Sequence, residues 1–272
     1  MSRLRGKGAV TVIASALIVA LGWTLLQSDD DIHRRATGAA MDVTVLLGGG
    51  QPAPGFRRAN IPRAFSFPAD HGPHDDFQAE WWYFTGNLVS ETGREFGFQL
   101  TFFRFALAPP VNLAPDARQP PRGDAADSNW RSRQIYMAHY ALSDIANGRF
   151  VTAERFQRAS LGLSGAVASP FSVWLGDWSV RGQGGDGSIF PLTLKAAHAG
   201  YELALTLNPL KPVVLNGDRG LSRKSAAGDH ASYYYSLPRL QVAGEVRLPG
   251  GSFRVRGAAW LDREWSTGSL AV

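Results

Sequence analysis

Asp262 sits in the run Trp260-Leu261-Asp262-Arg263-Glu264-Trp265-Ser266, a carboxyl group among large aromatic side chains. Adding water to an isolated double bond requires an acid strong enough to protonate carbon and a dry wall that tolerates a cation. A desolvated carboxyl beside aromatic faces supplies both. On a strand over 253–261, Asp262 and Trp260 point to the same side. The same aspartate can also close a strand end, pairing with Arg263 or Arg239 or forming an Asx-turn.

A second concentration of chemistry lies in Phe67-Pro68-Ala69-Asp70-His71-Gly72-Pro73-His74 and Glu80-Trp81-Trp82-Tyr83-Phe84. His71 and His74, with Asp70, Asp75, Asp76 and Glu80, have the residue types of a metal site. Gly72-Pro73 breaks the helical turn that would bring the two imidazoles together, so no metal is expected. The histidines are read as braces of the loop entering the first strand, with a ligand-facing role for one of them as the alternative. His139 lies on the opposite face from Tyr136 and Tyr140, a satisfied histidine or a polar site residue. Gly162-Leu163-Ser164-Gly165 is not a nucleophile elbow, and the glycines from Gly182 to Gly187 have no helix after them to make a phosphate site. No cofactor is expected.

The elements that position these residues are strands. Trp82, Phe84 and Leu88, and then Phe96, Phe98, Leu100 and Phe102, keep a period of two on either side of Ser90-Glu91-Thr92-Gly93, which predicts a hairpin. Further strands are expected over 134–142, 149–156, 171–180, 189–194, 201–207, 240–248 and 252–261. The pattern predicts an all-β, antiparallel sandwich or barrel. Trp81 and Trp82 must face opposite sides, and Trp82, Phe84, Phe98 and Phe102 form the inward set, a candidate wall for an apolar ligand. Arg104 continues the Phe102 face, either to hold an acidic headgroup or to lock onto Trp82 by a cation–π contact. Residues 106–129 read as a long loop at one end of the sheet.

Arg3, Arg5 and Lys7 precede an uncharged run of about 18 residues, long enough to span hydrocarbon, and Asp29, Asp30 and Asp31 follow it. Residues 1–28 are therefore expected to be a signal anchor or signal peptide and 29–60 a flexible tether. The body is expected on the exported, periplasmic side of an inner membrane. There is no cysteine, which excludes disulfides and thiolate chemistry. The net charge of +5 comes from arginines scattered among acids, without a basic stripe. Nucleic acid is therefore not an expected partner.

Five ordered stretches carry a resemblance. They are 67–74, Glu80 to Gly86, Phe98 to Arg104, Tyr233-Tyr234-Tyr235-Ser236-Leu237-Pro238-Arg239, and Gly257 to Ser266. Together they resemble the AttH-type family related to bacterial carotenoid 1,2-hydratases, often labelled predicted secreted hydrolases. The resemblance implies two tandem lipocalin-like β-barrels, the first over 61–236. Residues 237–272 would then begin a second barrel that is incomplete within this chain. It also implies an apolar ligand, an isoprenoid or lipid, bound by Trp82, Phe84, Phe98, Phe102, Arg104 and Trp260, with an ABC transporter as a partner. In the carotenoid branch an aspartate in a comparable late motif looks like the proton donor, which implies a hydratase with Asp262 as general acid as the alternative to binding alone.

Overall fold

The computed structural model describes residues 54–110, 133–185, 187–224 and 230–266. The expected anchor, residues 29–53 of the expected tether and most of the expected loop over 106–129 lie outside the described residues. Among those described, no helix is long and apolar enough to cross a membrane.

Thirteen antiparallel strands form one barrel-shaped sheet. β1 (Ala79–Ser90) and β2 (Glu95–Ala106) make the hairpin expected from their alternation, and Gly93 takes the positive φ of +82° that its turn needs. β3 (Gln134–Asp144) and β4 (Arg149–Arg158) follow, joined by a single 3-10 turn, Ile145–Asn147. The expected strand over 171–180 is two strands, β6 (Phe171–Leu175) and β7 (Trp178–Gly182), preceded by β5 (Ser164–Ala168). Gly176, at φ +61°, reverses the chain between them. The strand expected at Ile189 begins instead after Pro191, as β8 (Leu192–His198), and pairs with β9 (Tyr201–Pro209). Two short strands, β10 (Val214–Leu215) and β11 (Leu221–Arg223), lead to the long hairpin of β12 (Ala231–Leu248) and β13 (Gly251–Ser266).

The strand order is β4-β3-β2-β1-β13-β12-β9-β8-β7-β6-β5, with β10 and β11 also on β12. β13 therefore lies between β1 and β12, paired along its length with both. Ser236, the expected end of the first barrel, falls inside β12. The strand continues in the same sheet through a register shift between Leu237 and Leu240, where Pro238 has no N–H to give the ladder. Across that shift β12 changes its second neighbour from β10 to β9.

The inner face is filled. Trp82, Phe84, Phe98 and Phe102 are 0–3% exposed and pack with Tyr140, Trp178, Leu205, Leu237 and Leu261 in one core. Where β1 begins and β13 ends, Ala59 and Phe77 of the chain before β1 pack in a second core with Tyr233 and Tyr235 of β12 and Trp265 of β13. Ordered packing thus starts within the expected tether, where Arg57 N–H also bonds to the Asp76 carbonyl at 2.8 Å.

Candidate functional site

Two polar groups occupy opposite faces of β13. On the inner face, Glu80 of β1 and Arg263 of β13 meet Arg104 of β2, all three 0% exposed. Arg104 Nε holds one Glu80 carboxylate oxygen and Arg263 Nη2 the other, while the backbone N–H of His74 reaches both at 3.1 Å. Arg104 Nη2 donates to the carbonyls of His74 and Phe77 at 2.8 and 2.9 Å, and Arg263 Nη2 to that of Gly72 at 2.6 Å. Burial alone would raise the Glu80 carboxyl; the two guanidinium groups outweigh it and hold it well below the usual carboxylate range. The cation over Trp82 is Arg263, with Cζ 4.0 Å from the ring centroid, whereas Arg104 is committed to Glu80.

The two motif histidines belong to this inner group. His74 stacks on Trp265 with ring centroids 3.7 Å apart, and its Nε2 lies 3.0 Å from Asp70 Oδ1. Asp70 also accepts from Arg63 at 2.5 Å and from the Ser66 N–H at 2.6 Å. Burial pushes the Asp70 carboxyl up, but the bonds to His74, Arg63 and Ser66 bring it down to about 2. His71 Nδ1 meets the Tyr235 hydroxyl at 2.6 Å, and its carbonyl accepts from Trp82 Nε1 at 2.9 Å. Burial, aided by the charge of Arg263, lowers the His71 imidazole to about 4. These contacts clamp the segment before β1 across the end of the barrel.

On the outer face the register assembles a different surface. Tyr83, Asp262, Ser236 and Val214 stand opposite one another on β1, β13, β12 and β10. The next row is Tyr234, Glu264 and Trp81, and Thr85 stands opposite Trp260. Opposed residues of antiparallel strands share a face, so four aromatic side chains, Trp81, Tyr83, Tyr234 and Trp260, surround the carboxyls of Asp262 and Glu264. Trp260 is 39% exposed and Asp262 is half-buried, while Ser236 and Glu264 are buried.

Asn216 Nδ2 donates to Ser236 Oγ at 2.9 Å, which leaves the Ser236 hydroxyl to donate to Asp262 Oδ1 at 2.5 Å. The Tyr234 hydroxyl also bonds to Asp262; burial first, and then that carboxylate, push it up to about 12. Glu264 is raised by burial, against the opposing pull of Lys224, whose Nζ lies 2.7 Å from its Oε1, and of Ser232. The Glu264 row continues through Trp81 to Phe103 of β2, Met137 of β3 and Phe156 of β4. At about 4.8 Å per strand, this apolar row runs some 19 Å from β13. Trp81 and Phe103 are half-buried, Met137 is buried and Phe156 is 46% exposed.

The structure thus separates the expected site residues. Trp82, Phe84, Phe98, Phe102 and Arg104 lie inside, packed on one another or paired; Asp262 and Trp260 share a face as alternation requires, and that face is the outer one. His139 is outside as well, its Nε2 2.9 Å from Glu154 Oε2 and its ring 5.1 Å from that of Phe103. Sequence reasoning missed Tyr83, Asn216, Lys224, Tyr234, Ser236 and Glu264. The parity of Asp262 with Glu264 was visible, but their neighbours depended on pairing between distant strands.

A family profile described as AttH-like matches residues 58–272. Among solved structures, a protein of Nitrosomonas europaea provisionally described as an AttH is 35% identical with a TM-score of 0.61, over 81% of this chain and 59% of that one. Kievitone hydratase from Nectria haematococca shares the fold at 10% identity and a TM-score of 0.52, over 82% of this chain and 57% of that one. The chain spans less than two thirds of the length of each. A comparison with curated proteins returns no match.

Proposed function

Because the chain belongs to the AttH-like family, we propose that it acts on an elongated apolar molecule, an isoprenoid or lipid with an isolated double bond, and adds water to that bond with Asp262 as the acid. One observation carries this reading: the register of β1, β12 and β13 sets Asp262 within an aromatic wall, beside the Glu264 row, whose apolar side chains run about 19 Å from β13 to β4. The inner aromatic set offers no such wall, because its side chains are spent on one another. Asp262 would give its proton to one alkene carbon, and the faces of Trp81, Tyr83, Tyr234 and Trp260 would favour the cation on the other until water adds. The direction of the Asn216–Ser236–Asp262 chain favours a second reading, binding without chemistry. A hydroxyl that donates to a carboxylate stabilises its ionised form.

Lycopene in detergent micelles, incubated with the full chain, is the test. We expect a hydrated product from the native protein, and a loss of about 100-fold or more in Asp262→Asn with polyene quenching of tryptophan fluorescence unchanged. Quenching without product in either protein leaves binding alone. No quenching and no product sinks both readings.

Export and anchoring by residues 1–28 are part of the proposal, supported by the basic and acidic flanks of the N-terminal apolar run; partnership with an ABC transporter rests on the family resemblance alone. A reporter fused after residue 60 should be active only on the exported side, and carbonate washing should leave the chain in the membrane pellet.

A further inference from the structure

Hydration returns a proton as well as consuming one, and a second carboxyl stands ready on the same face. Glu264 follows Asp262 by two residues on β13 and shares its face, with their Cα atoms about 6.7 Å apart. Its side chain is held between Trp81 of β1 and Tyr234 of β12, its strand-opposed neighbours. The charged and titratable groups facing it are Asp262 on its own strand, Tyr234 on β12 and Lys224 after β11, and Ser232 adds a hydroxyl. Tyr234 faces both carboxyls, bonded to Asp262 and within the field of Glu264.

We infer that Glu264 is the base of the reaction, accepting the proton of the water that adds to the cation; the inference rests on Asp262 being the acid. The Asp262 O–H bond breaks, and the alkene π pair forms a C–H bond with that proton, leaving a cation on the neighbouring carbon. A lone pair of water forms the C–O bond, and one water O–H breaks toward the Glu264 carboxylate. Asp262 is then ionised and Glu264 protonated. The Tyr234 hydroxyl resets them by giving its proton to Asp262 as it receives that of Glu264, so the sum is alkene plus water to alcohol. The Lys224 ammonium, 2.7 Å from Glu264 Oε1, favours the carboxylate form against the burial that opposes it.

The experiment uses the full chain with lycopene in D2O, reading both the hydrated product and deuterium entering carbon. Asp262→Asn should lose both. Glu264→Gln should lose hydration by about 100-fold while deuterium exchange, which needs Asp262 alone, stays within about threefold of native. Lys224→Met removes the charge that favours the ionised base, and should move the acid limb of the pH–rate profile up by about one unit with an unchanged circular dichroism spectrum. Hydration by Glu264→Gln within about threefold of native, or an unmoved acid limb in Lys224→Met, overturns the inference and leaves Asp262 in place. Absence of both product and exchange from the native chain removes the hydration reading and this inference together.

Discussion

Glu80 is shared by two arginines in a region closed to water, so its loss leaves two buried cations facing each other. Breaking such an arrangement by removing one partner costs about 3–5 kcal/mol, and Glu80→Gln should lower the urea midpoint accordingly. The same end of the barrel makes stability depend on pH in two windows. His71 titrates near 4 in the folded chain and near 6.5 when unfolded. As pH falls from about 6.5 to about 4, the unfolded chain binds the proton first and stability declines. Asp70, at about 2 folded against about 3.9 unfolded, stabilises fully above pH 4 and loses that contribution as pH falls toward 2. Urea titrations from pH 7 to 4 should therefore slope downward for the native chain, and His71→Gln should flatten the slope by removing the titrating group.

At the level of elements, the pairing of β1 with β13 sets both faces of the molecule, and small residues allow it. A Cβ on Gly86 would stand 2.6 Å from the Ala258 carbonyl oxygen, 2.7 Å from the Phe98 ring and 2.9 Å from Ala259 Cβ. Gly86→Ala should therefore cost about 1–3 kcal/mol by overpacking, read as a lower midpoint in thermal unfolding. Much of this architecture was legible in the chain. Trp82 to Leu88 and Phe96 to Phe102 announced their hairpin, because one face is buried and the turn residues lie between. β5 was not legible, since Ser164-Gly165-Ala166-Val167-Ala168 has small side chains and no alternation. The division of 171–180 was hidden because β6 and β7 both carry apolar residues at alternate positions and only Gly176-Asp177 separates them from a single run. The surroundings of Asp262 were out of reach for a different reason: alternation says which residues share a face of one strand, whereas Tyr83 and Ser236 become its neighbours only through long-range register. Likewise nothing local distinguished Arg263 from Arg104 as the cation over Trp82.

For the molecule as a whole, the sheet path ends at β4 and β5, which are not paired with each other. Side chains bridge this seam: Arg155 of β4 pairs with Asp177, and its guanidinium lies 4.2 Å from the Trp178 ring centroid. Among the described residues β4 thus presents an open edge, with Phe150 67% exposed. An edge of this kind invites strand pairing with another chain, and a charge on it discourages pairing. Phe150→Lys should lower concentration-dependent light scattering while leaving the melting temperature nearly unchanged. The opposite margin of β1 is protected by β13, and that protection arrives late. Ala79 pairs with Ser266, nearly the whole length of the folded body away. At about 5–20 residues per second of synthesis, the first strand of the barrel waits on the order of ten seconds or more for its last partner to be made. The order in which the ribosome delivers the strands therefore keeps the barrel open until β13 has been made, and the nascent chain meets chaperones or its own copies with β1 still available.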